Sequence, residues 1–462
     1  MIYPLPFAVA LVTTLLLSPF YVDISLLVGV GLFAVVYVTV DLERQLRSDP
    51  IALGPLMFII GCLQLIIAPW LTQYFPHSNP AYQIPKEAFA TYLAYVVPLC
   101  LAVGLGLVVA RAFFPRVGRG MPGLWLLNLD PITERAILKL FWAAFGLMVV
   151  APWLPVPGAL AFFVLLLGEI AWVCPLMLLL GRRPYWWKLA LLVLGWSFAA
   201  SIGAAMFHSF LLWLLFYVMV YWAIRFRGRG FKFVLLGGLL FVFIFQPAKV
   251  YFRTQGGGVS GFGTVLLNYV THPERAYTPE VLAETLMRMN QGWIVHRVMV
   301  WVPSHEPYAG LSMLTRQGIG VLLPRFILPN KYEAGGREHF ERYTGHQLFN
   351  ASMGLGYAGE FYAAFGWLGG ILAGFLYGLL FGAAFERLKQ AARANPLWWA
   401  WGPFIFLVAI KAEDAVGHAV NWAVKAFVVV LLVRYQLARI FRRRLPARPP
   451  PMPVGWNQTP PP

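Results

Sequence analysis

An arginine-rich stretch late in the chain is the part of the sequence best suited to chemistry. Lysines and arginines recur through residues 249–353, between long apolar runs. A guanidinium group stays charged, is weakly hydrated and offers a planar fork of donors, so it suits phosphate and diphosphate oxygens close to lipid. The stretch therefore predicts a site for a lipid-linked diphosphate. We expect Arg325, together with Arg253 and either Arg288 or Lys331, to stabilise charge that develops on a departing diphosphate.

A transfer to a hydroxyl acceptor also needs a base, and four residues are candidates. They are Glu360, His339, His346 and Glu341. Glu360 stands out because it lies about one and a half turns inside a predicted apolar helix. An ionisable side chain is energetically costly at such a position. The alternatives stay open: Glu360 could snorkel to the interface or cap its own helix, and both histidines could be ordinary loop residues. Any single arginine could be a surface or lipid-headgroup contact.

No motif in the sequence predicts a nucleotide, a metal ion or another cofactor. The glycine-rich run 256–263 lacks the Gly-Lys-Ser/Thr ending of a phosphate loop. The chain contains no HExxH, no DxD and no EF-hand loop, so side chains would have to neutralise the leaving diphosphate. Cys62, Cys100 and Cys174 all lie in apolar stretches without metal-ligand spacing and are expected to pack in the core.

The composition places these residues in a membrane protein. Of 462 residues, 60% are hydrophobic and only 12% are charged, whereas soluble domains carry about a quarter charged residues. The net charge of +17 is scattered through short loops, which argues against a nucleic-acid-binding domain. Unbroken apolar runs, rather than ten-residue alternation, exclude an outer-membrane barrel. The fold class predicted is an all-α polytopic transmembrane bundle.

Hydropathy predicts about twelve spans. They lie near 3–20, 24–40, 51–71, 87–110, 134–152, 157–180, 188–203, 205–224, 233–248, 355–384, 397–411 and 420–437. Lysine and arginine mark every second short connection, and short cytoplasmic loops retain these residues. The alternation predicts that both termini are cytoplasmic. It also makes the loop at 249–353 one large extracytoplasmic cap.

The predicted organisation has four parts. Residues 1–248 form an N-terminal bundle of about nine spans, 249–353 the cap loop, 354–440 the C-terminal membrane helices and 441–462 a disordered proline-rich cytoplasmic tail. Short amphipathic runs at 281–289, 293–302 and 310–323 are expected to be cap helices. Glycines 366, 369, 370, 374, 378 and 382 are expected to form a close-packing helix face.

Two further features are polar residues in or near the predicted spans and an aromatic run next to a cation. Glu169 and His208 are the next polar residues in or near predicted spans, and a buried hydrogen bond would explain either of them. The run from Tyr185 to Lys188 combines aromatic rings with a cation and is typical of an interfacial belt.

Three motifs between about Ala309 and Phe385 carry a family resemblance. Ten residues separate Arg325 from Gly336, and a Gly-Glu-x-Tyr-x-x-Phe-Gly-x-x-Gly run follows at 359–369. A Pro-Arg-x-x-x-Pro-x-Lys run occupies 324–331. These spacings resemble the periplasmic loops of Wzy-type O-antigen and oligosaccharide repeat-unit polymerases. A second copy expected from Arg253 is incomplete, because Gly263 comes one position too early.

The resemblance implies a GT-C type B-like fold related to that of O-antigen ligases. It implies a bacterial inner-membrane glycosyltransferase that joins undecaprenyl-diphosphate-linked oligosaccharides on the periplasmic face, with inversion and without a metal. The catalytic residues would be Arg325, Glu360 and His339. The diphosphate and glycan would be bound by Arg253, Arg288, Lys331, Arg337, Arg342, His346 and Tyr362.

The implied partners are the lipid-linked oligosaccharide, membrane lipids, and a chain-length regulator and flippase of the same pathway, with no nucleic acid. Two other functions stay open. A ligase-like transferase would share the chemistry. A flippase or transporter of lipid-linked sugars would show matching halves and interrupted helices.

Overall fold

The computed structural model describes residues 4–17, 23–75, 77, 79–114, 129–204, 208–238, 271–272, 278–322, 336–348 and 353–442. Within these ranges the regular secondary structure is helical, without strands, which confirms the all-α prediction. The longer helices are α1 (Pro4–Leu17), α2 (Ile24–Gln45), α3 (Leu53–Leu71), α4 (Lys86–Ala112), α5 (Pro131–Val150), α6 (Gly158–Leu180), α7 (Trp186–Ala204), α8 (His208–Phe226), α9 (Pro279–Met289), α10 (Gly292–Trp301), α11 (Leu311–Leu322), α12 (Arg337–Thr344), α13 (Gly356–Ala394), α14 (Trp398–Phe406) and α15 (Val416–Arg442).

Among the described residues, eight helices are long and apolar enough to cross a membrane. These are α2, α3, α4, α5, α6, α8, α13 and α15. A span needs about 20 apolar residues, and each of the eight coincides with a predicted span. The chain is a multi-pass membrane protein.

The other four predicted spans are not confirmed. In place of span 3–20 the structure has α1, with 14 residues. Span 188–203 corresponds to α7, which is not one of the eight. Span 397–411 contains α14, which has nine residues and gives way to turns. Most of span 233–248 lies outside the described residues, so the count of twelve stays a prediction.

A glycine face brings α4 and α13 into backbone contact, as the sequence predicts. A Cβ atom at Gly378 would lie 2.1 Å from the carbonyl oxygen of Val103, and one at Gly106 would lie 2.2 Å from that of Phe375. Added Cβ atoms at 370, 374 and 382 would also meet α4 residues within 2.7 Å. Small residues let membrane helices approach this closely. The close approach fixes α13, which carries Glu360.

A break in α13 differs from the uninterrupted predicted span. Gly366 has φ 69° and ψ −158°, so the residues before it form a separate short helix. The backbone N–H groups of Ala309 and Gly310 donate to the carbonyl oxygens of Ala363 and Ala364, at 3.0 and 2.9 Å. These bonds satisfy carbonyls that the break leaves without helical partners. Gly366 therefore forms the break, and a Cβ at Gly369 would meet Phe365 of the same helix, so neither glycine belongs to the face that packs on α4. The second part of α13 runs on to Ala394, beyond the predicted end at 384.

The far end of α4 and α13 holds a separate ion-pair cluster. Arg111 pairs with the buried Asp41 at 3.2 Å. Lys389 pairs with Glu386 at 2.8 Å and with Asp49 at 3.5 Å. Burial raises the pKa of Asp49, and the Lys389 ammonium opposes that rise. Every described ionisable group in the cluster has an opposite charge nearby, so we interpret this end as structural.

Candidate functional site

Glu360 is the centre of the candidate site. Its side chain is 0% exposed. Oε1 accepts a hydrogen bond from Gln317 Nε2 at 2.9 Å and lies 3.4 Å from His339 Nε2. Oε2 accepts a bond from the backbone N–H of Val416 at 2.8 Å. Both oxygens of the Glu360 side chain therefore accept a hydrogen bond from another element of the fold.

This geometry decides between the interpretations of Glu360. Snorkelling is wrong, because the carboxylate is buried and does not reach solvent. Capping of its own helix is also wrong. The Val416 N–H belongs to the first turn of α15, so Glu360 caps a different helix. The partial positive charge at that N-terminus favours a carboxylate.

The two other contacts come from α11 and α12, the short helices on either side of residues 323–335. Gln317 lies on the buried face of α11 with Met313, one turn earlier. His339 lies on the buried face of α12 with Tyr343, whose ring is 5.0 Å from the imidazole. Residues spaced by four share a helix face, which explains why each short helix directs its polar side chain inward. His339 is therefore a buried helical residue and not a loop histidine.

The chain between α11 and α12 contains the predicted diphosphate ligands. Residues 323–335 connect Leu322 to Gly336, and they include Arg325 and Lys331. Arg325, Lys331 and Arg253 lie outside the described residues, so their predicted roles stay predictions. Both described helices that flank 323–335 place a side chain on Glu360.

A polar break between α14 and α15 adjoins this carboxylate. Lys411 pairs with Asp414 at 2.6 Å, and Asp414 contacts His418 at 2.9 Å. Gln64 accepts a hydrogen bond from the backbone N–H of Ala412 at 2.9 Å. Gln64 lies in the π-helical segment Leu63–Ile67 within α3, and such bulges recur at functional sites. Glu360, Lys411, Asp414 and His418 thus lie at the same end of the bundle, opposite the Arg111–Asp41 cluster.

His346 lies in an aromatic cluster that joins the cap to the segment before α4. Its ring lies 5.9 Å from Tyr82, 6.0 Å from Trp293 and 6.5 Å from Phe340. Burial lowers the pKa of His346, and the Arg297 guanidinium lowers it further. These contacts favour a packing role for His346, and its substrate-binding role stays a prediction.

The predicted base Glu341 and the arginines Arg337 and Arg342 form ion pairs on the surface of α12. Glu341 accepts a hydrogen bond from the backbone N–H of Leu348 and another from Arg337, both at 2.8 Å, and these bonds lower its pKa. A lowered pKa makes Glu341 a weaker base. Arg342 donates to Glu306 at 2.7 Å.

The remaining predicted binding residues lie at different places. Tyr362 follows Glu360 on α13, and its ring packs 5.1 Å from Tyr95 and 6.3 Å from Tyr308. Arg288 lies in the last turn of α9, on another cap helix. The structure thus brings Glu360 and His339 together and places Arg288 on a separate element.

Sequence reasoning missed Gln317, Gln64 and the Lys411–Asp414 pair. Amides carry no charge, so a search for ionisable residues near lipid does not find them. The apolar segment 397–411 also suggested an ordinary helix across the position where the chain in fact leaves helical geometry. The run Lys-Ala-Glu-Asp at 411–414 was the available signal, since adjacent ionisable residues between apolar segments are unusual.

A buried histidine in the cap predicts a pH dependence of stability. Burial, with the neighbouring Arg297 guanidinium, lowers the pKa of His296 from 6.5 to about 4. Because the folded-state pKa is the lower one, His296 contributes stability that is present above pH 6.5 and is lost as pH falls through 4. The loss between pH 7 and pH 4 should be at most about 3 kcal/mol. Thermal melting of the purified protein between pH 7 and pH 4 measures this loss of stability.

The control for this prediction is a comparison of two histidine variants. His296→Gln cannot titrate and should show a shallower fall in melting temperature than the wild type. His305→Gln replaces an exposed histidine of the same region and should keep the wild-type slope. Equal slopes for the wild type and His296→Gln would contradict the prediction.

Two chemical roles follow from the site geometry. Glu360 can hold the imidazole of His339 in one orientation, as a carboxylate does in hydrolase triads. An imidazole held in this way can accept a proton from a hydroxyl group near neutral pH. Among the described residues, no three His, Cys, Asp or Glu side chains group so as to hold a metal ion.

Comparisons with known proteins add no family assignment. No protein-family model, no curated protein and no solved structure matches this chain.

Proposed function

We propose that this chain is a bacterial inner-membrane glycosyltransferase that polymerises undecaprenyl-diphosphate-linked oligosaccharides on the periplasmic face. One observation carries the proposal. The two helices that flank the Arg325 segment both contact Glu360, a buried carboxylate at the cap end of a multi-pass bundle. A cation-rich segment that directly precedes α12 in the sequence, together with an oriented histidine on that helix, would supply the two functions that such a transfer needs.

In the proposed reaction, Arg325 stabilises the negative charge on the departing diphosphate. His339 takes the proton of the acceptor hydroxyl, while that oxygen attacks the anomeric carbon and the bond to the diphosphate breaks. Glu360 is a positioning residue, because both of its oxygens already accept hydrogen bonds. Single displacement inverts the anomeric carbon. The proposal includes the twelve spans, the GT-C type B-like architecture and the cytoplasmic termini.

The test is a polymerisation assay with the purified full-length protein. We expect the undecaprenyl-diphosphate repeat unit of the host to give a ladder of lipid-linked oligomers in the presence of EDTA. Arg325→Ala should slow this reaction about 100-fold, since removing one donor to a developing oxyanion costs that much elsewhere. Arg316→Ala is the matched control, because Arg316 is an exposed arginine of α11. A wild-type rate for Arg325→Ala would contradict the proposed role.

A specific observation favours a second candidate, a transporter of lipid-linked sugars. The chain leaves helical geometry at 411–415, where Lys411 and Asp414 are partly buried, and α13 breaks at Gly366. Interrupted helices with ionisable residues are typical of transporter binding sites. Translocation of a labelled lipid-linked oligosaccharide across liposomes, with no oligomer formed, would support this candidate against polymerisation.

A further inference from the structure

An open apolar groove lies between α7 and α8, two helices that are distant from Glu360 in the sequence. Its volume is about 210 Å³, and its lining includes Trp186, Trp187, Leu191, Leu194, Tyr217 and Tyr221. The Tyr217 hydroxyl donates to the carbonyl oxygen of Trp172 at 2.6 Å, so it is directed into the bundle and the groove stays apolar. An apolar groove on the surface of a membrane-spanning helix suits a hydrocarbon chain.

One end of this groove carries unneutralised positive charge. Lys188 follows Trp187 directly, and its ammonium lies 5.8 Å from the centre of that ring. Arg225 lies one helical turn beyond Tyr221, in the last turn of α8. Both cations are exposed, and neither forms an ion pair with a described residue.

The loops at this end contain further cations and no acidic residue. They read Gly-Arg-Arg-Pro-Tyr at 181–185 and Arg-Gly-Arg-Gly at 227–230. Two described carboxylates contact this region: Glu134 pairs with Arg183 at 2.7 Å, and Glu43 of α2 accepts a hydrogen bond from the backbone N–H of Lys232 at 3.0 Å. The groove thus has an apolar part and a cationic end. These match the acyl chain and the phosphate of an anionic lipid.

We propose that this groove binds an anionic glycerophospholipid of the surrounding bilayer. One acyl chain lies along Leu191 and Leu194, and the phosphate lies between Lys188 and Arg225. Trp187 and Tyr221 are 48% and 42% exposed, and aromatic rings of this kind lie at headgroup level. A zwitterionic lipid fits the apolar part equally but brings its own cation to the cationic end. Charge complementarity therefore selects the anionic lipid.

Native mass spectrometry of the delipidated full-length protein in detergent tests this proposal. Phosphatidylglycerol should bind more tightly than phosphatidylcholine with the same acyl chains. Lys188→Gln/Arg225→Gln should weaken phosphatidylglycerol binding about 25-fold, from about fivefold per cation, and leave phosphatidylcholine binding unchanged. Leu194→Trp fills the groove and should weaken the binding of both lipids. This variant supplies a test that does not depend on charge.

The matched control is Arg44→Gln/Arg47→Gln, which removes two exposed arginines at the end of α2 and the same net charge. An equal loss in this control would show a diffuse charge effect and would overturn the site. Unchanged lipid binding in Leu194→Trp would also overturn it. If undecaprenyl phosphate binds more tightly than phosphatidylglycerol and responds to the same variants, the groove holds an isoprenoid, and the phospholipid assignment is wrong.

Discussion

Replacement of Glu360 by alanine should lower the free energy of unfolding by roughly 2–6 kcal/mol, because it leaves two hydrogen-bond donors without their acceptor. The variant leaves the Gln317 amide and the Val416 N–H without their acceptor, in a place that water does not reach. Each such orphaned group costs about 1–3 kcal/mol. Melting of the purified protein, followed by tryptophan fluorescence, measures the effect because Trp293 lies in the buried core of the cap helices.

Two further variants separate the buried contact from a general loss of charge. Glu338→Ala removes an exposed glutamate from α12 and should leave the melting temperature within about 1 °C of the wild type, as surface substitutions usually do. Glu360→Gln keeps the size of the side chain but turns an amide donor toward one of the existing donors. The loss of stability in Glu360→Gln should therefore lie between the losses in Glu338→Ala and Glu360→Ala. A Glu360→Ala protein as stable as Glu338→Ala would contradict the structural role of this carboxylate.

The fold was predictable where one local pattern decides the outcome. Long apolar runs identify membrane helices because only a regular helix satisfies the backbone in lipid. Glycines at 374 and 378, one turn apart in an apolar helix, predict a packing face for the same local reason. Hydropathy does not detect the backbone conformation of a single residue. The break at Gly366 and the non-helical segment 411–415 therefore stayed hidden inside apolar stretches that were expected to be continuous.

The candidate site was predictable in its charged residues but not in its neutral ones. Glu360 and His339 stand out because ionisable groups near lipid are costly and need a reason to be there. Gln317 lies 43 residues from its partner Glu360, and Gln64 lies 348 residues from Ala412. A neutral amide gives no local signal of so distant a contact. The arrangement of α11, α12 and α15 around one carboxylate thus depends on tertiary packing that no window of sequence contains.

The other large effect should come from Gly378→Ala, with a loss of about 3 kcal/mol, at the upper end of ordinary overpacking. The new methyl group would lie 2.1 Å from the carbonyl oxygen of Val103, so α4 and α13 would have to separate along their length. Thermal melting of the purified protein measures the loss. Gly146→Ala is the matched control, because nothing lies within 4 Å of its Cβ position, and alanine should stabilise that helix by up to about 1 kcal/mol.

A rescue experiment distinguishes backbone contact from side-chain crowding in this glycine face. At Gly374 the added Cβ would meet the Leu99 side chain at 2.5 Å, so the Gly374→Ala/Leu99→Ala double variant should lose less stability than the sum of the two single losses, and that difference is the rescue. At Gly378 the obstacle is a backbone carbonyl, so Val103→Ala should restore nothing. Rescue at both positions would mean that side chains alone set the helix separation. Rescue at 374 but not at 378 is the result that direct backbone contact requires, and it would identify α4 and α13 as the rigid pair against which Glu360 is positioned.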